Sequence, residues 1–496
     1  MRAARFPILG SETHRILTGY VHGSLNLAWQ GDPVTPAMKI TPAPRSVTTG
    51  DAQVPRSGHA PLPWVADAFA ALAGLGLAVT LGLVITGETR GSLAAPGGWL
   101  IAGGRFAGLT GAYLMLVLVV LIARLPWLER AVGQDQLVLW HRRIGPWVLI
   151  LITAHVVLVT LGYSKLAKVG PLHQLWVFLS SYPDLLAAAA GFCLVIMAGV
   201  TSIRIARRRI KYETWWVVHL YMYLALSLAF AHQIVTGGSF IGHPLTRAIW
   251  IAMWTATAGM VIVFRVLQPI GRSLRHQLKV SFVREEAPGV FSVVCSGRRL
   301  DRLAVSGGQF FQWRFFTKEL WWHAHPYSIS ALPSPPYIRL TVKGLGDQSR
   351  AVSQLKPGTR VAIEGPYGAF THHARSSDRV VLIGAGVGLT PLRALLEDLP
   401  PWVDVSVIVR ASTAKEIVHR DEVVDLVEQR GGRFHEIIGS REKVRFDSRV
   451  LQRLEPDIAS SDVYVCGPEG FSKRVMVAAQ KLGVHRDNIH HEAFTF

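Results

Sequence analysis

The chain has 496 residues, half of them hydrophobic, and a formal net charge of +19. Its mean hydropathy is positive, which excludes a single water-soluble domain, and the basic residues collect beside apolar runs, so membrane topology accounts for the charge and no nucleic-acid partner is expected. Three cysteines, Cys193, Cys295 and Cys466, lack CxxC spacing and exclude a disulfide framework or a thiolate metal site.

Residues 1–60 mix Pro, Gly, Thr and Arg without period and read as a mobile tail. The opening MRAARFPILG lacks the long apolar core of a signal peptide, so no cleavage is expected, and no calcium-loop pattern occurs in the tail. Apolar runs then recur at roughly 64–87, 101–123, 140–162, 176–203, 214–236 and 248–267. Runs of ~20 apolar residues cross a bilayer, which predicts six spans. Arg124, Arg130, Arg142 and Arg143 flank the second connection and Arg204, Arg207, Arg208, Arg209 and Lys211 the fourth, while the other three hold only Arg90, Lys165, Lys168 and Arg247. Basic loops stay on the cytoplasmic side, so both termini are expected there, in an integral protein of the cell membrane.

The third and fifth spans carry paired histidines. His155 follows His141 by fourteen residues, a rise of about 21 Å that returns within about 40° of the same helix face. His232 follows His219 by thirteen, a rise of about 19.5 Å. Both spans run from inside to outside, so His141 and His219 share an inner level and His155 and His232 an outer one. Two planar macrocycles stacked across the bilayer, each gripped by facing imidazoles, fit this ladder; packing histidines or a proton relay are the alternatives. Thirteen residues carry a helix about 140° away from the first face, so a π-bulge or other distortion is expected in the fifth span.

These spacings resemble the ferric reductase and NADPH oxidase superfamily of six-helix membrane flavocytochromes. The resemblance implies two b-type haems with His141, His219, His155 and His232 as axial ligands, an arrangement suited to electron transfer. Arg142 and Arg143 beside the inner level would then meet haem propionates.

From about residue 275 the pattern changes to strands, Gly/Pro turns and charged helices. His325-Pro326-Tyr327-Ser328 is similar to the flavin signature of ferredoxin–NADP reductase-like domains, which implies Tyr327 near the isoalloxazine, Ser328 bonding the ring and His325 towards the pyrophosphate, where many soluble relatives have Arg. RLTVKGLGDQS resembles the second flavin motif, with Val342, Lys343, Gly346, Asp347, Gln348 and Ser349 as its binding positions. Glycine allows close backbone approach and a helix start offers free amides to a phosphate. Gly365, Pro366, Tyr367 and Gly368 resemble the hinge that precedes the nucleotide domain.

Next, RVVLIGAGVGLTP runs a strand into Gly384, Gly386 and Gly388 and opens a helix at Thr390-Pro391, a turn suited to dinucleotide phosphates. Cys466-Gly467-Pro468 closes a later strand and resembles the segment beside the nicotinamide, the thiol near the hydride-donating carbon. By the same resemblance the terminal Phe496 stacks on the flavin and yields to nicotinamide. Arg410, Ser440 and Arg441 resemble a 2′-phosphate clamp, and arginine suits that task; NADPH is favoured, with NADH possible.

The expected fold is a membrane all-α six-helix bundle binding two haems (61–270), a soluble FAD-binding β-barrel (275–372) and an α/β Rossmann-like NADP-binding domain (378–496). The expected activity passes electrons from cytoplasmic NADPH through FAD and two haems to an outer acceptor. Ferric or cupric chelates stand ahead of dioxygen, because the oxidases carry a second histidine four residues after the outer ligand of the third span and here that place is Val159. A periplasmic protein acceptor is the other reading. His173 and His243, in outer loops, are candidates for gathering metal ions.

Overall fold

The computed structural model describes residues 63–493 apart from Ser239 and residues 441–445; the tail read at 1–60 lies outside the described residues. The membrane half contains α1 (Pro63–Thr86), α2 (Arg90–Ala94), α3 (Gly98–Ile122), α4 (Pro126–Val132), α5 (Gln134–Ala167), α6 (Pro171–Ser181), α7 (Pro183–Ser202), α8 (Arg204–Arg207), α9 (Tyr212–Val235), α10 (Pro244–Val261) and α11 (Gln268–His276). Among the described residues, six segments are long and apolar enough to cross a membrane: Trp64–Ile85, Gly98–Ile122, Gln136–Ala167, Asp184–Ser202, Thr214–Val235 and Pro244–His276.

Two boundaries differ from the sequence reading. The run expected at 176–203 breaks into α6 and α7 at Tyr182, which is extended at φ −128°, ψ 98°, because a following proline disfavours helical backbone in the residue before it. The last span continues through a π-helical segment, Ile262–Leu267, into α11. The sequence places the π distortion in the fifth span; α9 is instead regular along its whole length.

Glycines set the helix pairing. α3 packs along α5 and α7 along α9. A Cβ at Gly104 or Gly111 of α3 would fall against Val159 or Ile152 of α5, and one at Gly191 of α7 against the Ala225 carbonyl of α9. Small residues at such spacing let membrane helices approach closely.

The flavin-type domain is built from β1 (Lys279–Ala287), β2 (Val290–Ser296), β3 (Phe310–Phe315), β4 (His325–Ser328), β5 (Tyr337–Lys343) and β6 (Val361–Tyr367), with α12 (Asp347–Ser353) between the last two. Its strands form two three-stranded antiparallel sheets, β1-β2-β5 and β4-β3-β6, linked by isolated bridges at Lys279–Arg360 and Ile329–Leu340. Strand β3 shows the cause: Phe311, Trp313 and Phe315 alternate into the core and are fully buried.

The last domain contains β7 (Arg379–Ala385), α13 (Leu389–Asp398), β8 (Asp404–Ala411), α14 (Arg420–Glu428), β9 (Arg433–Ile438), α15 (Ser448–Leu454), β10 (Asp462–Gly467), α16 (Glu469–Lys481) and β11 (Ile489–Ala493). Its strands form one parallel sheet in the order β11-β10-β7-β8-β9. The chain winds one way from β7 and the other way from β10, so the crevice at the carboxyl ends of those two strands is the topological switch point where such sheets bind ligands.

Polar contacts tie the domains together. Arg339 of β5 grips Glu422 of α14 through two bonds of 2.7 Å, and Arg393 of α13 reaches the same carboxylate at 2.9 Å. Burial opposes ionisation of Glu422, but its bonds from Arg339 and His419 hold it well below the usual carboxylate range. At the end of the bundle, Glu364 of β6 accepts from Arg265 at 2.9 Å and from Tyr367 Oη at 2.8 Å, while the Arg124 guanidinium lies 4.5 Å from the Tyr367 ring centre. Arg124 also pairs with Glu129 of α4 at 3.2 Å. The flavin domain thus docks on the bundle end that carries the second and fourth connections.

Candidate functional site

Facing α5, α9 brings both histidine pairs together. His141 and His219 have ring centroids 6.1 Å apart at an interplanar angle of 70°, and His155 and His232 lie 6.4 Å apart at 38°. Because α9 turns regularly, its two histidines leave at different azimuths, and the two pairs meet at different angles. Metal–imidazole bonds run about 2.0–2.1 Å, so two imidazoles that would share one metal ion, with roughly 1.2 Å from each nitrogen to its ring centre, would have centroids about 6.5 Å apart. The outer pair, at 6.4 Å, has that spacing, and the inner pair, at 6.1 Å, is slightly closer.

The second nitrogen of each α5 histidine is already committed. His141 Nδ1 donates to the Leu118 carbonyl at 3.1 Å and His155 Nδ1 to that of Gly104 at 2.8 Å. Such a bond fixes the tautomer and presents Nε2 to a metal. His219 Nδ1 pairs with the Ser202 hydroxyl at 3.4 Å, which also accepts from Trp215 Nε1 at 3.1 Å. His232 Nδ1 is buried without a well-formed hydrogen bond. The residues therefore fit bis-imidazole ligation of two haems. Sequence reasoning missed Gly104 and Gly108, although the signal is present as glycines four apart. A Cβ at Gly108 would stand 2.5 Å from His155 Nδ1. Arg142 and Arg143 are exposed beside His141.

Aromatic rings lead from the inner pair to the flavin-type domain. Trp215 stacks on His219 at 5.2 Å, and its neighbour Trp216 meets His323 at 5.7 Å. Two residues on, His325 stacks on Tyr327 at 6.0 Å and 16°, and Trp313 Nε1 donates to the Tyr327 carbonyl at 2.9 Å. Burial, with His323 and Arg314 nearby, lowers the His325 pKa to about 4, so the ring is neutral at pH 7. Pro326 is exposed and Ser328 buried. His323 Nε2, His325 Nε2, Ser328 Oγ and Thr390 Oγ1 are all buried without a hydrogen-bond partner among the described residues. Four such atoms on neighbouring segments fit a bound polar cofactor, since buried polar groups are otherwise paired.

In the second flavin motif, Val342 belongs to the core and Lys343, Gly346 and Asp347 are exposed, with Gln348 half-buried. Ser349 Oγ accepts from the amides of Leu345 and Gly346 at 3.0 and 2.9 Å, so this hydroxyl shapes the loop. Asp347 pairs with Arg350 at 3.0 Å.

At the switch point the two later motifs touch. Gly386 has φ +57°, and a Cβ at Gly388 would overlap the Cys466 carbonyl and the Gly467 amide. Gly384 packs on Leu392, and Thr390 and Pro391 are buried in the first turn of α13. Cys466 is fully buried, and burial pushes its thiol well above the ordinary range. Its Sγ lies 4.0 Å from the Glu492 carbonyl, and β11 pairs Glu492 with Cys466 in register. Glu492 also escaped the sequence reading, and its carboxylate borders Gly368. Gly467 and Pro468 lead into α16. Arg410 is buried and binds the carbonyls of Ala411, Ile437 and Ser440, the last two at 3.2 and 3.1 Å; it fastens the Ser440 turn. Arg441 and Phe496 lie outside the described residues.

A six-helix membrane bundle joined to flavin-type and nucleotide-type domains defines a membrane oxidoreductase. Three family models match in that order: the ferric reductase like transmembrane component over residues 107–230, the FAD-binding domain over 290–371 and the oxidoreductase NAD-binding domain over 382–476. Together they match the architecture of the ferric reductase and NADPH oxidase-like flavocytochromes, with the domain set of an NAD(P)H-dependent oxidoreductase. A flavohemoprotein of Vibrio cholerae is 31% identical over 182 residues, 34% of this chain and 45% of the relative. A glycine betaine monooxygenase reductase subunit of Pseudomonas aeruginosa is 27% identical over 201 residues, 36% and 55% of the two chains. The chain thus spans about half the length of these relatives. The FAD/NAD-binding domain of a nitric oxide dioxygenase from Vibrio cholerae shares 26% identity over 44% of this chain and 98% of that domain, with a TM-score of 0.37.

Proposed function

We propose that the protein carries electrons across the membrane from cytoplasmic NADPH, by way of FAD and two b-type haems, to an acceptor on the outer side, with ferric or cupric chelates ahead of dioxygen. The observation that supports this most is the stacking of two facing histidine pairs at 6.1 and 6.4 Å, each with its α5 member held by a backbone carbonyl. Bound between them, haem would accept single electrons that flavin draws from the two-electron hydride of the nicotinamide.

Each residue then has a task. The glycine turn 386–388 and the start of α13 receive the dinucleotide phosphates at free amides. Cys466 and Glu492 border the nicotinamide position. Ser328 offers its unpartnered hydroxyl to the flavin ring, and neutral His325 offers a hydrogen bond towards the pyrophosphate in place of an arginine's charge. His141, His219, His155 and His232 would hold the two haems through Nε2, which would supply one-electron transfer. Because two imidazoles would hold each haem, an acceptor would not need to coordinate its iron. Val159 leaves the outer level without the additional histidine of the oxidases. His173 and His243 are exposed, where metal chelates could be gathered. Cytoplasmic placement of the flavin domain is supported by its docking on the basic end of the bundle.

Reconstitution in liposomes tests this reading. NADPH is supplied on the flavin-domain side, and ferric chelate reduction and superoxide are measured on the other. Chelate reduction that survives superoxide dismutase supports a metal reductase. Stoichiometric superoxide, with chelate reduction abolished by the dismutase, makes the protein an oxidase.

A further inference from the structure

The turn between β3 and β4 displays three large aromatic side chains to its surroundings: Phe316 is 51% exposed, Trp321 57% and Trp322 40%. The turn that carries them is built firmly. Leu320 is buried in the flavin-domain core, and Arg314 Nη1 donates to the carbonyls of Trp321 and Trp322 at 3.0 and 2.8 Å. Elsewhere on the flavin-type strands and turns, exposed large hydrophobic residues stand singly, as at Phe282 and Leu345.

Its position explains the composition. The Trp322 ring lies 4.3 Å from that of His323, which meets Trp216 at 5.7 Å. Trp216 is the third residue of the span Thr214–Val235, so the turn stands where that helix enters the membrane. Tryptophan is enriched at this boundary because its ring suits the mixed apolar and polar headgroup region. The chain leading into α9 carries exposed Arg208, Arg209 and Lys211, with Ile203 and Ile205 also exposed, a composition complementary to anionic headgroups.

We propose that Phe316, Trp321 and Trp322 insert into the headgroup region of the leaflet in which α9 begins, holding the flavin domain on the membrane with His323 against Trp216. This requires that α9 spans the bilayer and is independent of haem or of the acceptor.

The test uses the full chain in lipid nanodiscs containing anionic lipid. Cys193, the exposed cysteine among the described residues, is replaced as Cys193→Ala. An environment-sensitive fluorophore is attached at Trp321→Cys, with Phe316→Cys as a second site and Glu428→Cys on α14 as the water-facing control. Spin-labelled lipid should remove most of the emission at 321 and 316, with a blue shift, and leave 428 unchanged, while iodide should quench only 428. Iodide quenching at 321 and 316 equal to that at 428 would overturn the proposal. So would shielding from both quenchers, which would mean that protein covers the turn.

Discussion

The membrane half and the nucleotide domain build their sites in opposite ways. In the bundle, the proposed chemistry rests on four side chains, two of them aimed by neighbouring backbone: Leu118 and Gly104 supply carbonyls to His141 and His155, and Gly108 makes room for the His155 ring. At the switch point of the last sheet the backbone itself is the site, with Gly386 and Gly388 bringing one strand end against another. A site made of side chains fails when a side chain is removed. One made of backbone fails when a side chain is added.

That contrast can be broken most forcefully in the bundle. Replacing an outer ligand, His155→Ala or His232→Ala, should halve haem content and leave flavin bound, read from reduced-minus-oxidised spectra and extracted flavin; two retained haems would remove the ligand assignment. A gentler change on the same pair is Gly108→Ala, whose methyl group would displace the His155 imidazole. Misplacing a metal's supporting contacts typically costs about 10- to 100-fold in metal affinity, so the outer haem should be lost on dilution while the inner one stays.

In the nucleotide domain the reverse substitution is informative. Gly388→Ala places a methyl against the Cys466 carbonyl, and overpacking of this kind costs about 1–3 kcal/mol. NADPH affinity should fall while FAD content is retained; unchanged titration calorimetry would show that the two strand ends need not approach. Arg441→Ala should lose about 1.5–3 kcal/mol of binding, roughly ten- to a hundredfold, with NADPH and much less with NADH. Equal losses would remove the 2′-phosphate role.

The smallest effect concerns the seam between the halves. Burial raises the Glu129 carboxyl from its ordinary value to about 7, against the pull of Arg124. A folded-state pKa above the unfolded one means that this group's stabilisation is complete below about 4.5 and is lost as pH rises through about 7. Thermal stability should therefore decline over that window, and Glu129→Gln should flatten the decline. An unaltered profile in Glu129→Gln would place the dependence elsewhere.

Much of this was legible in the sequence because it is local. Six spans follow from apolar length, and His141/His155 and His219/His232 from spacing alone. The flavin and nucleotide motifs are contiguous words. What escaped depends on contacts distant in sequence. Nothing local shows that Gly108 faces His155, or that β11 lays Glu492 beside Cys466. Arg410 reads as part of a 2′-phosphate clamp, yet its guanidinium donates to the carbonyls of Ala411, Ile437 and Ser440. The expected π-bulge in α9 came from rotating a helix on its axis, which neglects the freedom of the two side chains to meet their partners at different ring angles.

The central claim is that each histidine pair holds one haem. Its most direct test is the haem-to-flavin ratio of the purified full-length protein, measured by pyridine haemochrome and flavin release alongside a redox titration. Two haems per FAD, titrating as two low-spin bis-imidazole centres, is the predicted result. A protein that retains FAD but binds no haem when haem is supplied during expression, or binds a single haem, would contradict it.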